Sequence, residues 1–531
     1  MAPTARRGFW LFIGILASFA AAKAVLFDTL DPDCFWHLRV ADQLCRQGIG
    51  PIVDDISFAS IRTPWTPYSW LAELGMKAVW GLGGYRAAVF VQALVQAAIV
   101  LMLAAVCAST RSTDEETPRY GPAAAATSAG VFLMLPYLSF RPVTFGFLIL
   151  LVIARLLARG GRAVWWVVPL TVLYANVHLF VFFVPVMVLL DHRAVRLRRR
   201  FFLPRDREHD INGSGPFMSR GDENSHEKTR RQRRPGPSLA FVAATCFAAV
   251  ATPMLPGLLR SVWNYSTHDA MVTGPVIAEM RGVAHGLASI PNVALLLGMA
   301  GCCFFARRPL PIGRVILIAM TAVLSFKIGR FVPLFVIVTA PAVAATLRGI
   351  SGNAFARPVP RAAMSLVLVL ILFKITVGFP TPRTSLDAWL NRHGPDAPGY
   401  PCAAADFVDR SVRRGTGRIV NEFSWGGYLA WRLGPKDRVL LDGRTQVFPP
   451  ELWHATYLGT EQDRSRFLAT VDADAAVLPA GHSQFRGALI SLGWTPVYHD
   501  PRAEVLIPPA KLHGTPFAGQ PAQGDTYASW R

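Results

Sequence analysis

A series of long apolar runs constrains this chain more than any other feature. The first follows Arg6-Arg7, extends from Phe9 to Phe27, and is interrupted only by Lys23. About 19 such residues suffice to cross ~30 Å of hydrocarbon. Further runs lie at 85–108, 122–139, 143–158, 164–190, 238–258, 290–306, 312–328, 331–347 and 362–379. Inside a bilayer every backbone polar group must be satisfied within its own segment, so such runs are expected as helices. Composition agrees, with 52% hydrophobic and 17% charged residues among 531. That is too little charge to coat one soluble globule, and it excludes collagen, a small disulfide scaffold and wholesale disorder. An uncleaved N-terminal anchor is expected; a signal peptide cleaved near Ala20-Ala21-Ala22 is the competing reading.

Charge sets the orientation. Lys and Arg number 54 against 34 Asp and Glu. Membrane proteins gather Lys and Arg in cytoplasmic loops, which explains the excess without nucleic acid. Basic loops flank the run 164–190 at Arg155–Arg162 and Arg193–Arg200. About 27 residues is long for one crossing and short for two. If both loops are cytoplasmic, the run must enter and return, with its break at Asn176-Val177-His178. Counted so, Arg307, Arg308, Arg348, Arg357 and Arg361 fall inside. The first loop (28–84), the loop 259–289 and everything after 380 fall outside. The expectation is about eleven membrane segments, and no internal repeat is evident. Residues 191–237 hold thirteen Lys/Arg and seven Asp/Glu without apolar periodicity, which predicts a disordered cytoplasmic loop.

The division expected is therefore 1–379 as a helical membrane domain and 380–531 as a soluble α/β domain outside the cytoplasm. In the latter, strand patterns at Arg418–Phe423, Arg438–Asp442, Ala475–Leu478, Pro496–His499 and Glu504–Ile507 alternate with helix patterns at Trp425–Leu433, Pro450–Leu458 and Gln484–Leu492. This alternation predicts a mostly parallel sheet. The chain has no G-x-G-x-x-G and no P-loop, hence no nucleotide site is expected. Seven cysteines show no C-x-x-C and no pairing with histidine, so no zinc or redox motif is read.

The first loop is the densest polar stretch: Asp31-Pro32-Asp33-Cys34-Phe35-Trp36-His37-Leu38, then Gly48 to Asp55, then Trp65 to Glu73. Pro32 suits a first helical turn and Asp31 its N-cap. Asp33 and His37 are then i, i+4 neighbours on one face. By spacing alone Asp31 is a cap and Asp33 a structural ion-pair partner; chemistry needs company. Elsewhere the external rim carries Arg141, Lys327 and Arg330, with His178 as a further polar group. Each has a plain role available, since Lys and Arg snorkel to headgroups and a buried His is commonly just hydrogen-bonded.

The string Asp-Pro-Asp-x-Phe-Trp-His-Leu after a first span, then Gly48-x-x-Pro51-x-x-Asp54-x-x-Ser57-Phe58 and Trp70-Leu71-x-Glu73, resembles the C-type (GT-C) membrane glycosyltransferases. It is most similar to bacterial members near the protein O-mannosyltransferase and lipid-A aminoarabinose transferase branch. Arg141-Pro142, Asn176-x-His178, Lys327-x-x-Arg330-Phe331, Asn421-x-x-x-Trp425-Gly-Gly-Tyr428 and Asp442-Gly443-Arg444 extend the resemblance over most of the chain. Tyr68-Ser69 departs from it, standing where relatives carry His or an acidic residue. The resemblance implies a polytopic enzyme of the bacterial inner membrane. It would move a sugar from a polyprenyl-phosphate donor to an extracytoplasmic glycan, lipid or protein acceptor. Asp33 is the implied general base, with Asp31 orienting it, or the two share a divalent metal. His37, Glu73, Arg141, His178, Glu279, Lys327, Arg330, Asp442 and Arg444 are the implied substrate-binding set. The competing class is a non-enzymatic membrane protein, a transporter, flippase or assembly scaffold, for which paired broken helices would speak.

Overall fold

A computed structural model describes residues 2–26, 30–61, 64–109, 120–190, 239–267, 281–285, 289–304, 310–347, 385–392, 399–412, 415–481 and 483–512. The apolar run 362–379, the basic loop 191–237, the expected boundary at 379/380 and Glu279 lie outside them.

The membrane part is helical. It contains α1 (Ala2–Leu26), α3 (Trp70–Ala108), α4 (Tyr120–Met134), α5 (Pro142–Arg159), α6 (Val167–Ala175), α7 (Ile312–Lys327) and α8 (Val332–Thr346); α2 (Asp33–Gln47) lies in the first loop. Among the described residues four helices are long and apolar enough to cross a membrane: Ala5–Leu26, Trp70–Ala108, Pro142–Arg159 and Gly329–Thr346. Shorter apolar helices occupy Leu179–Leu190, Leu239–Ala249 and Ile290–Phe304. The chain is thus a multi-pass membrane protein. The count of about eleven segments is corrected, among the described residues, to four of full length. Where a break is described, it is local. The run 164–190 breaks at Asn176-Val177, where α6 ends, and restarts after His178, whose Nδ1 accepts the Phe180 N–H at 3.2 Å.

α3 has 39 residues, more than the ~20 a bilayer needs. It bends at Gly83 and Gly84; Gly84 has φ +56 and ψ −137, a conformation that suits only glycine. α8 is buried from Val332 to Ala344, the sign of a helix at the bundle's centre. Gly130 of α4 lets it approach closely, since a Cβ there would lie 2.7 Å from Val336 Cγ1.

The C-terminal domain carries a sheet of β1 (Arg418–Asn421), β2 (Arg438–Val439), β3 (Ala475–Pro479), β4 (Thr495–His499) and β5 (Ala503–Ile507), in the order β2-β1-β3-β5-β4. β1 runs parallel to β2 and β3, but β5 is antiparallel to both β3 and β4. The expected mostly parallel sheet is therefore corrected to a mixed one. The link from β4 to β5 is a tight turn in which Asp500 accepts from the N–H groups of Arg502 and Ala503 at 2.7 and 2.8 Å. A turn that short can only join antiparallel strands. α9 (Cys402–Ser411) and α10 (Phe423–Leu433) pack against the sheet.

The first loop folds with this domain. Ser57 bridges Val439 in parallel, with the Val439 N–H donating to Ile56 O at 2.9 Å and Phe58 N–H to Val439 O at 3.1 Å. The loop so covers the β2 edge, which would otherwise be open for pairing. α2 shares a core with α9 and α10, and the Phe35 ring lies 5.1–6.0 Å from those of Trp389, Tyr400, Tyr428 and Trp431. First loop and C-terminal domain therefore occupy one side of the membrane.

Candidate functional site

Asp31 and Asp33 stand at the start of α2. Asp31 Oδ1 accepts the Asp33 N–H at 2.9 Å, the capping role expected of it. Asp31 Oδ2 accepts from Ser139 Oγ at 3.2 Å and from Arg141 Nη2. Arg141 is at the N-cap position of α5, just before Pro142. Asp31 and Arg141 are both buried, so this pair anchors the first loop onto the membrane bundle.

Asp33 is different. Its side chain keeps 24% exposure and meets two guanidiniums, Arg141 Nη2 and Arg330 Nη2, each at 3.7 Å. Arg330 sits in the short 3-10 turn between α7 and α8, with a side chain 27% exposed. Residues from α2, from the α5 N-terminus and from the α7–α8 turn so converge on one half-open carboxylate. Lys327 ends α7 and is exposed; among the described residues no ion pair joins it to Asp31 or Asp33.

One turn below Asp33, His37 Nδ1 lies 3.0 Å from Glu73 Oε1. Both residues are buried. Burial first, then the charges of Arg141, His178 and Arg330, push His37 well below the usual imidazole range. The imidazole is therefore neutral, and Nδ1 shares a hydrogen bond with the Glu73 side chain. His178 lies among the same cations, its ring 6.1 Å from that of Tyr68. Asn176, two residues earlier, accepts from Trp70 Nε1 at 2.8 Å and so fastens the start of α3 to the break after α6.

Asp442 and Arg444 do not open toward Asp33. Both are fully buried. Arg444 Nη1 and Nη2 meet Asp54 at 2.8 and 3.1 Å, and Nε and Nη2 meet Asp442 at 2.9 and 2.6 Å. Its guanidinium also lies 5.1 Å from the Trp65 ring centroid. Two carboxylates saturate it, leaving its fork no room for a substrate. Burial alone would push the Asp54 carboxyl up, but Arg444 outweighs it and holds it below its usual value. The residue between them does reach the site. At Gly443 a Cβ would lie 2.5 Å from Asp33 Oδ1 and from Trp36 Nε1, so this turn of the C-terminal domain passes close against the carboxylate.

Asn421 holds that turn in place. Its Oδ1 accepts the Leu440 N–H at 2.8 Å and its Nδ2 donates to Leu441 O at 2.9 Å. Gly426 of α10 passes so close that a Cβ would lie 1.8 Å from Leu441 O. The Asn421 and Trp425-Gly-Gly-Tyr428 strings thus position backbone. The sequence reading missed Asp54 as a clamp and Gly443 as the point of contact; both stand inside quoted strings, but nothing local tells a clamp from a ligand.

Among the described residues no group of three or more His, Cys, Asp or Glu side chains gathers to hold a metal. Both Asp31 oxygens are engaged and Asp33 faces two guanidiniums, a donor set poor for a divalent cation.

No family model matches this sequence, and no curated protein matches it either. In fold the chain is similar to the archaeal oligosaccharyltransferase AglB from Archaeoglobus fulgidus, solved in complex with an inhibitory peptide and a dolichol-phosphate. The TM-score is 0.50 at 12% identity, over 88% of this chain and 69% of that one. The same organism's oligosaccharyltransferase tethered with an acceptor peptide, and its apo form, align with TM-scores of 0.49 and 0.48 at 12% identity. At such identity the likeness concerns fold alone: a polytopic helical membrane part with a strand-containing C-terminal domain. It does not single out the bacterial O-mannosyltransferase and aminoarabinose branch.

Proposed function

We propose that this protein transfers a sugar from a polyprenyl-phosphate donor to a hydroxyl-bearing acceptor (glycan, lipid or protein) outside the cytoplasm. The observation that carries the reading is Asp33, half-open and faced by Arg141 and Arg330 from two other elements. With no substrate bound, the two guanidiniums face the carboxylate. A phosphate monoanion or dianion competes for the same guanidiniums, which match its oxygens. Once the arginines turn to the phosphate, Asp33 is free to accept a proton. The acceptor oxygen attacks the anomeric carbon, and the bond from that carbon to the phosphate oxygen breaks. The electron pair leaves on the lipid phosphate, where the arginines stabilise it, and the proton goes to Asp33. A single displacement of this kind inverts the anomeric centre.

The fold shared with an oligosaccharyltransferase supports the class, and the positive-inside pattern supports an extracytoplasmic site in a cytoplasmic membrane. The test is incubation of purified protein with a panel of polyprenyl-phosphate sugars, reading free lipid phosphate. Release from at least one donor by the wild type, and loss of at least ~100-fold in Asp33→Asn with unchanged melting, is the expected result. Full activity of Asp33→Asn would remove the carboxylate from the chemistry.

A further inference from the structure

The helix Leu255–Thr267 has two unlike faces. Gly257, Leu258 and Ser261, with Met254 just before the helix, are buried, whereas Pro256, Leu259, Arg260 and Trp263 are exposed. Each set follows the spacing of one helical stripe. The buried stripe fixes the helix at a definite level. Leu258 belongs to the core of the membrane bundle, and Met254 to the core that α2 shares with the C-terminal domain. At Gly257 a Cβ would lie 2.2 Å from Thr66 O of the first loop. Ala251 O accepts from Asn176 Nδ2 at 3.2 Å, which ties the approach to the helix to the break after α6. A segment that touches both cores lies where they meet, at the external edge of the bundle.

The exposed stripe is not that of a surface made for water. Leu259 is 50% and Trp263 63% exposed, with Arg260 between them. Leu82, at the bend of α3, is 87% exposed. That bend falls where the external loop (28–84) was expected to give way to the apolar run 85–108. We infer that Leu255–Thr267 is an interfacial helix that docks on the external leaflet, Leu259 and Trp263 sinking below the headgroups and Arg260 lying among their phosphates. Such helices bury their apolar side ~5–10 Å into the headgroup and acyl boundary, and Trp is enriched at that depth. Lipid is the occupant because the stripe follows directly on the apolar helix Leu239–Ala249, whose Leu239 and Phe247 are equally open, and because Arg260 complements phosphate. The helix also packs on Thr445–Val447, the turn directly after Arg444. The lipid surface so supports the clamp that holds the Asp442-Gly443 turn. This inference is independent of the transferase reading.

The experiment uses full-length protein in vesicles of phosphatidylcholine with a minor share of phosphatidylglycerol. The exposed Cys45 and Cys246 are replaced by serine. A nitrobenzoxadiazole fluorophore is attached to Leu259→Cys, to Trp263→Cys or, as a control in the C-terminal domain, to Arg466→Cys; the serine background without an added cysteine gives the blank. Two positions on the stripe keep the test open if one variant fails to fold. Lipids carrying a nitroxide near the headgroup should quench the probes at 259 and 263 at least about twofold more than lipids carrying it near the chain end, and neither should quench the probe at 466. Quenching by aqueous iodide as strong as at 466, with none by lipid, would put the helix in water and overturn the inference. Stronger quenching by the deep nitroxide would make the segment part of a crossing and overturn it too. Shielding from lipid and iodide alike would show protein on this face, such as a second copy of the chain, and would also overturn it.

Discussion

The two arginines facing Asp33 are not equivalent. Arg141 is 6% exposed and also carries the buried Asp31, whereas the Arg330 side chain is 27% exposed and touches Asp33 from the open side. Removing Arg141 strands a buried carboxylate, which costs about 3–5 kcal/mol. Arg141→Gln should therefore lower the melting temperature of purified protein sharply. Arg330→Gln should leave melting nearly unchanged and raise the donor KM about tenfold, since it removes one phosphate contact at the rim. Equal effects of the two on stability would contradict the division of labour. His37 adds a pH signature. Its folded value lies below the usual ~6.5 because burial and the nearby cations disfavour the charged ring. As pH falls below ~6.5 the unfolded chain takes up a proton that the folded one refuses, so this contribution is complete above that pH and declines beneath it. His37→Gln should flatten the melting-temperature profile between pH ~6.5 and ~5.

Between elements, glycines and one closed ion cluster do the positioning. α10 crosses the end of β2 at Gly426, where a Cβ would meet Leu441 O at 1.8 Å. Backbone cannot yield there, so Gly426→Ala should displace the Asp442-Gly443 turn and cost more than the usual ~1–3 kcal/mol of overpacking. Arg444 ties the first loop to this turn through Asp54 and Asp442. Arg444→Met would leave two buried carboxylates facing each other and should destabilise the protein by about 3–5 kcal/mol. The sign of the pH effect follows from Asp54, whose folded value is depressed. Unfolded Asp54 takes its proton near pH ~3.9 and the folded group only at lower pH. Its contribution is thus present above ~3.9 and lost as pH falls through the folded value. Acid melting curves should fall less steeply below pH ~4 in Asp54→Asn than in the wild type.

For the whole molecule, the consequence is that the soluble domain is not an appendage. Its sheet is extended by Ser57, and its core is completed by Cys34, Phe35, Trp36 and Leu38 of α2. A fragment that begins at 385 lacks these partners and should expose the Tyr400, Tyr428 and Trp431 surface. Cooperative melting of such a fragment would argue against the shared core. The same union fixes topology. Cys45 of the first loop and an Arg466→Cys residue, both exposed, should react with a membrane-impermeant maleimide from the same side. Positive-inside charge makes that side extracytoplasmic. Labelling from opposite sides would break the fold.

The sequence by itself determined the membrane character, the break at Asn176–His178, the five strands and the crowding of polar groups after the first span. Those features rest on run length, period and turn chemistry, which act over a few residues. It did not determine that four of the described helices are full-length, that β5 runs antiparallel, or which charges meet. Asp442 and Arg444 carried no mark separating them from Arg330, and the clamp joins Arg444 to Asp54, 390 residues earlier. Such a pairing comes from chain closure around a shared core, with no local period to announce it. Only the tertiary structure decided that one aspartate of the first loop is closed by Arg141 while the other stays open between two arginines. The physical reason is burial, which depends on what the rest of the fold lays across each group.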